Sequence, residues 1–495
     1  MNKIKEQFKK DFKQANNVEL SFDLNQLEPN APNQRYRMRP LRKALIFASG
    51  GLVLALAIAA IPLSIWMLAP KTESVKLERR KYDVNEMNVT KSNTFNKLND
   101  IYYPNLSRPS LSDISEEEKC AYRNFSNLTY HSLVDTSKED NMSYCVVGLY
   151  SVLNELTAAA SRDDLKERLN NLLGLDETSR VSFYEKIMKA NSFVDENATT
   201  QIKNAAFFIN SLKYSPSYVD YLTSLYCEAY QINFKTSANK MVEWVNSAVN
   251  DSRFIDKEFL SLRPDTVLYL FSTLYFKSAW ANKYLSSSNI NDDFFLNDGN
   301  KITTKYMKHS YFIDSYYDYD SYISFKDYYY DMGTITYLIP KKTEDNIFTL
   351  TKNANIFEDN EENKVLASNH QITVSLQTPK FTNKADIDFF SCMENLGFGD
   401  MFDDQIDSLH GAFDLESTPS YNFYLQTLKQ RNQVEFNEDG TIVKSVSMAA
   451  TGGKNGGSWK TFDTLDVKLN QPFIYIIKDA NGTPIFVGHI DNPKR

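Results

Sequence analysis

The sequence is poor in cysteine, histidine, glycine and proline, and each shortage excludes a class of protein. Its 495 residues include 4 Cys, 5 His, 16 Gly and 15 Pro. The cysteines are scattered and never form a CxxC pair, which excludes a disulfide scaffold and a zinc ribbon. No HExxH motif is present, so the common zinc hydrolases are excluded. The low glycine and proline content excludes a collagen-like or linker-dominated chain.

The charge balance is mildly acidic. The chain has 55 Lys and Arg against 63 Asp and Glu, with a formal net charge of -8. This balance argues against nucleic acid as a partner. Hydrophobic residues make up 42% and aromatic residues 13%, which is enough to build a sizeable core.

One uncharged run lies near the N-terminus, from Ala44 to Ala69. It is longer than the roughly 20 residues that a helix needs to cross a bilayer. A buried core helix would show a polar face, and a signal peptide would have a shorter apolar region closer to the start. The run therefore predicts one transmembrane helix at 44–69.

The flanking charges predict the orientation of this helix. Arginine and lysine crowd residues 35–43 without an acid, whereas the basic residues after the run are interleaved with Glu73 and Glu78. The positive-inside rule then puts the N-terminus in the cytoplasm. We predict a single-pass cell-membrane protein with a cytoplasmic tail at 1–43, a stalk or linker at 70–109, and one extracellular domain at 110–495.

Residues 110–495 predict an α+β domain, because helical periodicity comes first and strand-like runs follow. Helices are predicted at Glu116 to Leu133, Leu149 to Leu173, Tyr218 to Tyr230 and Met241 to Val249. Strands are predicted at Thr266 to Phe276, Gly333 to Ile339, Gln371 to Leu376, Phe473 to Lys478 and Ile485 to Ile490. The Asn481-Gly482 pair between the last two runs predicts a hairpin.

Motifs for catalysis are lacking. The glycine-rich stretch 451–458 does not have the spacing of a phosphate loop, because Met448 stands where a glycine is required. No GxSxG motif occurs, and no cysteine has an electropositive sequence context that would mark a nucleophile. The sequence thus predicts no enzyme activity, no cofactor and no metal site.

Several stretches of the C-terminal half carry a family resemblance. They are VEFNEDGT (434–441), LNQPFIYIIKD (469–479), TPIFVGHIDNP (483–493), TLYFKSAW (273–280), LQTPKF (376–381), LGFGDMF (396–402) and Trp244-Val245. This pattern resembles the serpins, the serine protease inhibitor family, and it spans essentially the whole predicted domain. The resemblance implies helices packed on three β-sheets, with an exposed reactive loop between a hinge and the C-terminal hairpins.

The resemblance also implies a function. In inhibitory serpins a protease cuts the loop, becomes an acyl-enzyme, and is distorted as the loop inserts into the central sheet as a new strand. By this resemblance we expect a monomeric suicide-substrate inhibitor whose partner is a trypsin-like serine protease, with a cysteine protease as the alternative target. The hinge residues implied are Glu438, Gly440, Thr441, Val443, Ser445 and Ser447.

Insertion as a central strand requires alternate loop residues to face the core. With Thr441 as the first inward residue, the inward set is Thr441, Val443, Ser445, Ser447, Ala449, Thr451 and Gly453. None of these is charged, and the one charge in the loop strand, Lys444, falls on the outer face. A slip of one residue would bury Lys444 at a cost of several kcal/mol. No proline interrupts the stretch, so every residue can donate to the ladder.

Family spacing from Gly440 implies a scissile bond between Lys454 and Asn455. A lysine at this position suits the acidic specificity pocket of a trypsin-like protease. The segment from Lys454 to Val467 is longer than is usual for the family, so Lys460 remains a rival cleavage position.

Some positions depart from the family pattern. Cys145 and Gly148 replace two serines, Ser272 replaces an asparagine, and Gln430 replaces a histidine in the polar network under the central sheet. In the hinge, Ile442 and Val443 stand where an acid and an alanine are usual. The alternative hypothesis is therefore a non-inhibitory member of the same fold, a surface binding module whose loop is only a substrate.

Overall fold

The computed structural model describes residues 95–136, 141–367, 371–418, 421–442 and 463–494. Its helices are α1 (Glu116–Thr136), α2 (Val146–Ala159), α3 (Asp163–Leu173), α4 (Glu177–Ala190), α5 (Pro216–Ser224), α6 (Phe234–Ala248), α7 (Lys257–Leu260), α8 (Ile347–Thr351) and α9 (Phe390–Asn395). Short 3-10 helices occur at Ser286–Ser288, Glu361–Asn363, Gly399–Phe402 and His410–Ala412.

The strands form three sheets, which we name A, B and C. Sheet A is eight-stranded, with the order β1-β5-β4-β6-β16-β15-β14 and with β3 paired to β4. Its strands are β1 (Phe95–Lys97), β3 (Ser192–Val194), β4 (Ala198–Ile209), β5 (Cys227–Ile232), β6 (Leu268–Ala279), β14 (Phe381–Asp388), β15 (Lys429–Asn437) and β16 (Gly440–Ile442).

Sheet B is seven-stranded, with the order β12-β9-β10-β11-β18-β19-β2, and sheet C is four-stranded, with the order β17-β13-β8-β7. The strands of sheet B are β2 (Met142–Cys145), β9 (Ser315–Asp318), β10 (Tyr322–Tyr328), β11 (Thr334–Pro340), β12 (Lys364–Leu366), β18 (Phe473–Lys478) and β19 (Pro484–Ile490). Those of sheet C are β7 (Ile290–Phe295), β8 (Lys301–Ile313), β13 (Ile372–Pro379) and β17 (Asp463–Lys468).

The predicted C-terminal hairpin is confirmed. Strands β18 and β19 pair antiparallel, and every residue of both is buried. Gly482 adopts φ 77° in the connecting turn, a conformation that favours glycine. The Asp479 carboxylate closes the turn by accepting from the backbone N–H groups of Asn481 and Thr483, both at 2.9 Å.

Two predicted helices were wrong in their extent. The pattern from Leu149 to Leu173 forms two helices, because the chain is extended at Ala160 and Ser161 donates its N–H to the carbonyl of Ser408. The pattern from Tyr218 ends as a helix at Ser224, because Tyr226 takes φ 56°. Cys227 then begins β5, which pairs parallel with β4. Local periodicity could not reveal this pairing, because helix α5 separates β4 from β5 in the sequence.

The edge strand β1 of sheet A lies in the later part of the segment 70–109, which the sequence predicts as a stalk. Strand β1 pairs antiparallel with β5, and the side chain of Asn99 then bonds the backbone of Cys227 and Ala229. No helix in the described ranges is long and apolar enough to cross a membrane. The predicted tail at 1–43 and the predicted membrane helix at 44–69 lie outside those ranges and stay predictions.

Candidate functional site

The predicted hinge folds back into the middle of sheet A. Strand β15 ends at Asn437, and β16 returns antiparallel to it, with Thr441 opposite Phe436. The other edge of β16 pairs antiparallel with β6, where Thr441 lies opposite Ser278. The start of the hinge is thus a short central strand between β6 and β15.

Thr441 points into the core, as the parity argument predicts. Its exposed fraction is 0%, and its hydroxyl lies 2.6 Å from the Tyr329 hydroxyl. Tyr329 stacks on Trp280 with ring centroids 4.9 Å apart, and burial holds the pKa of its hydroxyl well above the ordinary value. A neutral tyrosine therefore satisfies the only polar atom that this side chain brings into the core.

Glu438 anchors the turn between β15 and β16. Lys380 donates a hydrogen bond of 2.6 Å to its carboxylate, and the Asn289 amide donates to the other oxygen. Burial alone would raise the pKa of Glu438, but these hydrogen bonds outweigh it and hold the pKa below its usual value. The carboxylate is therefore charged at neutral pH and ties sheet A to sheet C.

Gly440 is required by close approach of two backbones. A Cβ at this position would lie 2.1 Å from the carbonyl oxygen of Ser278. The Trp280 indole also donates a 2.9 Å hydrogen bond to the carbonyl of Asn437, just before the turn. The chain can enter between β6 and β15 here because no side chain stands in the way.

Below β16 the same two strands part around a cavity of about 320 Å³. Residues 265–274 of β6 and the segment before it line one side, and residues 422–433 leading into β15 line the other. Helix α2 contributes Cys145, just before its start, and the side chains of Leu149 and Leu156. We call this cavity, with the two strand segments that border it, the slot.

A glutamine holds the wall of the slot to its floor. The Gln430 side-chain carbonyl accepts from the backbone N–H of Cys145 at 2.7 Å, and its amide donates to the Cys145 carbonyl at 3.1 Å. A Cβ at position 148 would lie 3.1 Å from this amide, so Gly148 leaves room for it. The departures at 145, 148 and 430 are thus parts of one contact, in which a glutamine bonds the backbone directly.

Two further polar groups surround this contact. Asn432, next to Gln430 on the inward face of β15, donates to the Ser143 carbonyl at 3.0 Å and to the Gln430 carbonyl oxygen at 3.0 Å. The hydroxyl of Ser272, which lines the slot, is buried and has no hydrogen-bond partner among the described residues. The slot therefore has one unsatisfied polar group on the β6 side.

The structure brings together three of the predicted site residues, Glu438, Gly440 and Thr441. The others lie outside the described residues: Val443, Ser445, Ser447, Lys454, Asn455 and the rival Lys460. Sequence reasoning missed Tyr329, which directly follows β10 of sheet B, and Asn289, which directly precedes β7 of sheet C. No local signal could have found them, because only the fold brings them to the hinge.

Comparison with known proteins agrees with this geometry. The family model described as "Serpin (serine protease inhibitor)" matches residues 121–493. The chain belongs to the serpin family. Wheat Serpin-Z2A is 25% identical over 386 residues, covering 72% of this chain and 92% of the wheat protein. Mouse Serpin B12 is 24% identical over 361 residues, covering 69% of this chain and 80% of the mouse protein.

Solved serpin structures share the fold. The thermophilic serpin tengpin in its native state superposes with a TM-score of 0.65 at 20% identity, covering 78% of this chain and 97% of tengpin. Arabidopsis AtSerpin1 in its native stressed conformation gives 0.60 at 20% identity, covering 77% and 100%. Thyroxine-binding globulin in complex with thyroxine gives 0.57 at 18% identity, covering 76% and 99%. The serpin fold with three sheets, expected from the sequence, is confirmed.

Within the described part of this serpin, no group of three or more His, Cys, Asp or Glu side chains could hold a metal ion. All four cysteines lie in described residues and are free, with Cys120 exposed and the other three buried. Burial raises the pKa of the Cys145 thiol to about 12, so this cysteine beneath the slot is an uncharged structural residue.

Proposed function

We propose that this serpin is a membrane-tethered, extracellular suicide-substrate inhibitor of a trypsin-like serine protease, with a cysteine protease as the alternative target class. The observation that carries the proposal is β16. Its backbone is seated between β6 and β15, and the empty slot continues along the same two strands. A cut loop would need only to extend a strand that has already begun.

The register of β16 supports this extension. If the pairing were continued residue by residue from Thr441 in an inserted strand, Val443 would lie between Phe276 and Val434, two buried apolar residues. A valine suits that neighbourhood, although the family prefers alanine there.

The same register gives the next inward residues matching neighbours. It would set Ser445 beside Leu274 and Asn432, and it would set Ser447 beside Ser272 and Gln430. The Ser447 hydroxyl would then reach the hydroxyl of Ser272, which has no partner among the described residues. An inserted strand would thus satisfy one of the polar groups in the slot that have no partner among the described residues.

The decisive experiment incubates the full-length protein with trypsin. We expect a covalent complex on a denaturing gel, and cleaved protein with a higher melting temperature than intact protein. About ten new ladder hydrogen bonds at about 1 kcal/mol each amount to roughly 10 kcal/mol. For a domain of this size that energy raises Tm by about 10–20 °C. Clean cleavage with no complex and an unchanged Tm would instead support the non-inhibitory alternative.

The cleavage position is tested by sequencing the new N-terminus. We expect it at Asn455, because the bond after Lys454 has the family spacing. In sequence, Lys454 is also farther than Lys460 from Asp463, where β17 begins. Lys454→Ala should abolish complex formation, while the matched change Lys460→Ala should leave it intact. A new N-terminus at Thr461 would assign the bond to Lys460.

The membrane topology is proposed from the sequence alone. We expect a tag at the C-terminus to be stained on intact cells and a tag at the N-terminus to be stained only after permeabilisation. The reverse pattern would contradict the orientation. Recovery of the full-length chain in the soluble fraction would contradict the tether without touching the inhibitory mechanism.

A further inference from the structure

A second, smaller cavity of about 60 Å³ lies where α1 meets the turn between β18 and β19. Lys119 and Arg123 of α1 line it, together with Asp359, Lys478 at the end of β18, and Thr483. It shares no lining residue with the slot.

Lys478 is the unusual residue in this cavity. Its exposed fraction is 7%, yet its ammonium group makes no hydrogen bond or ion pair with any residue that the structure describes. Burial lowers the pKa of Lys478 to about 8; Asp359 opposes the shift, and Lys326 and Arg123 add to it. Buried lysines are rare unless they are paired, so one that lines a cavity without an ion pair among the described residues points to an anion-binding site.

The nearby acids are already engaged. The Asp359 carboxylate accepts a 2.7 Å hydrogen bond from Lys326. Glu116 accepts from Lys119 at 2.7 Å and lies 3.6 Å from Arg123. Within the lining itself, the cationic side chains of Lys119, Arg123 and Lys478 stand against one carboxylate, that of Asp359, which leaves an excess of positive charge.

We propose that this cavity binds a small tetrahedral oxyanion, sulfate or phosphate, between the Lys478 ammonium and the Arg123 guanidinium. The size fits, because one water needs about 10–15 Å³ of such a cavity and an ion with five heavy atoms needs a few times that. The Thr483 hydroxyl, in the same lining, supplies a third donor.

The free ion is favoured over a sulfated polysaccharide. The first turn of α1 carries Glu116, Glu117 and Glu118 next to the cavity-lining Lys119. Glu117 is exposed, and its charge would repel a polyanion that approached this side. A single small ion can enter and be neutralised inside.

Equilibrium dialysis of the full-length protein against labelled sulfate and labelled phosphate tests the proposal, with thermal melts in 0–5 mM sulfate at constant ionic strength. We expect one saturable site per chain. Ion at tenfold excess over its Kd should raise Tm by about 2 °C. Lys478→Met should bind at least tenfold more weakly. Without ion this variant should melt no lower than wild type, because it removes an unpaired buried charge.

Lys342→Met is the matched control, since it makes the same change at an exposed lysine, and its binding should be unchanged. Arg123→Met should also weaken binding and guards against an effect peculiar to position 478. Equal binding by wild type and Lys478→Met would show an adventitious ion only and overturn the site. No saturable binding below about 10 mM would overturn it too, and displacement of the ion by heparin at lower concentration would reject the free ion as ligand.

Discussion

Strands β6 and β15 border one channel in sheet A, but its two halves differ. In the upper half β16 fills the space between them, and Tyr329, Trp280 and Lys380 bond the hinge from other parts of the fold. In the lower half the strands stay apart around the slot, and the β15 side is held to its floor by Gln430. The same two strands are thus bridged by a third strand above, whereas below β15 is bonded through Gln430 to the floor of the slot.

The difference between the two halves indicates where the free energy of loop insertion comes from. The upper half is saturated with hydrogen bonds, so nothing is gained there when the loop is cut. In the lower half, the facing strand edges and the Ser272 hydroxyl have no partner among the residues that the structure describes, so the free energy of insertion is to be gained there. Substitutions in the upper half are therefore expected to have larger effects than substitutions in the lower half.

The largest effect is expected from Thr441→Arg. The Thr441 side chain is fully buried against Tyr329, so an arginine here would place an unpaired charge in the core, at a cost of several kcal/mol. We expect β16 to leave the sheet and the protein to become a substrate, with loss of the covalent complex on a trypsin gel.

Ile442→Arg is the matched control for Thr441→Arg. It adds the same charge one residue later, at a position that the parity predicted from the sequence assigns to the outer face. We expect it to keep the complex. If Thr441→Arg still inhibited, or if both variants failed alike, the inward parity of the loop would be wrong.

Gly440→Ala should destabilise the upper half without adding charge. Its Cβ would clash with the Ser278 carbonyl, so β16 must shift and Thr441 loses its burial. We expect the free energy of unfolding to fall by about 3 kcal/mol, measured by urea denaturation. Gly299→Ala is the control, because both glycines have a positive φ (155° at Gly440 and 81° at Gly299) but a Cβ at Gly299 meets nothing within 4 Å. Equal losses of unfolding free energy in the two variants would mean that the loss at Gly440 comes from backbone strain and not from the clash with the Ser278 carbonyl.

The two halves were unequally predictable from the sequence. The inward orientation of Thr441 followed from the parity of small and charged residues, which a strand imposes wherever it lies. The sequence showed that positions 145, 148, 272 and 430 differ from the residues usual in the family. It could not show which contacts the replacements make. Only the backbone positions reveal that Gln430 spans to Cys145 and that Gly148 makes room for it. Contacts between distant segments carry no local pattern, and the same holds for Tyr329 and Asn289.

Helix α2, which forms the floor of the slot, carries a buried acid whose titration should alter stability. Burial raises the pKa of Glu155 from 4.5 to about 8, although Cys227 and Ser151 favour its charged form. Between these values the folded state holds a proton that the unfolded state has lost. The stability contributed by this group is therefore fully present below about pH 4.5 and is lost as pH rises towards 8.

Glu155→Gln removes this titration. At pH 7 linkage is worth about 3 kcal/mol, and the amide costs about 1 kcal/mol in a site built for a carboxyl, so we expect a gain of about 2 kcal/mol. Denaturation at pH 5, 6, 7 and 8 should show the advantage of the variant growing with pH. Parallel curves for wild type and variant would mean that Glu155 is not neutral in the folded state.

The smallest effect is expected from Gln430→Ala, which alters only the lower half. It removes two hydrogen bonds to the Cys145 backbone, worth about 1–2 kcal/mol, from a partly exposed side chain. Because Gln430 lies beside the path of an inserting strand, its loss should also speed insertion and raise the fraction of protease trapped per cleavage. Gln433→Ala on the same strand, with its side chain on the opposite face, should change neither quantity. If Gln430→Ala lowered stability and left trapping unchanged, the glutamine would support the fold alone and would play no part in limiting insertion.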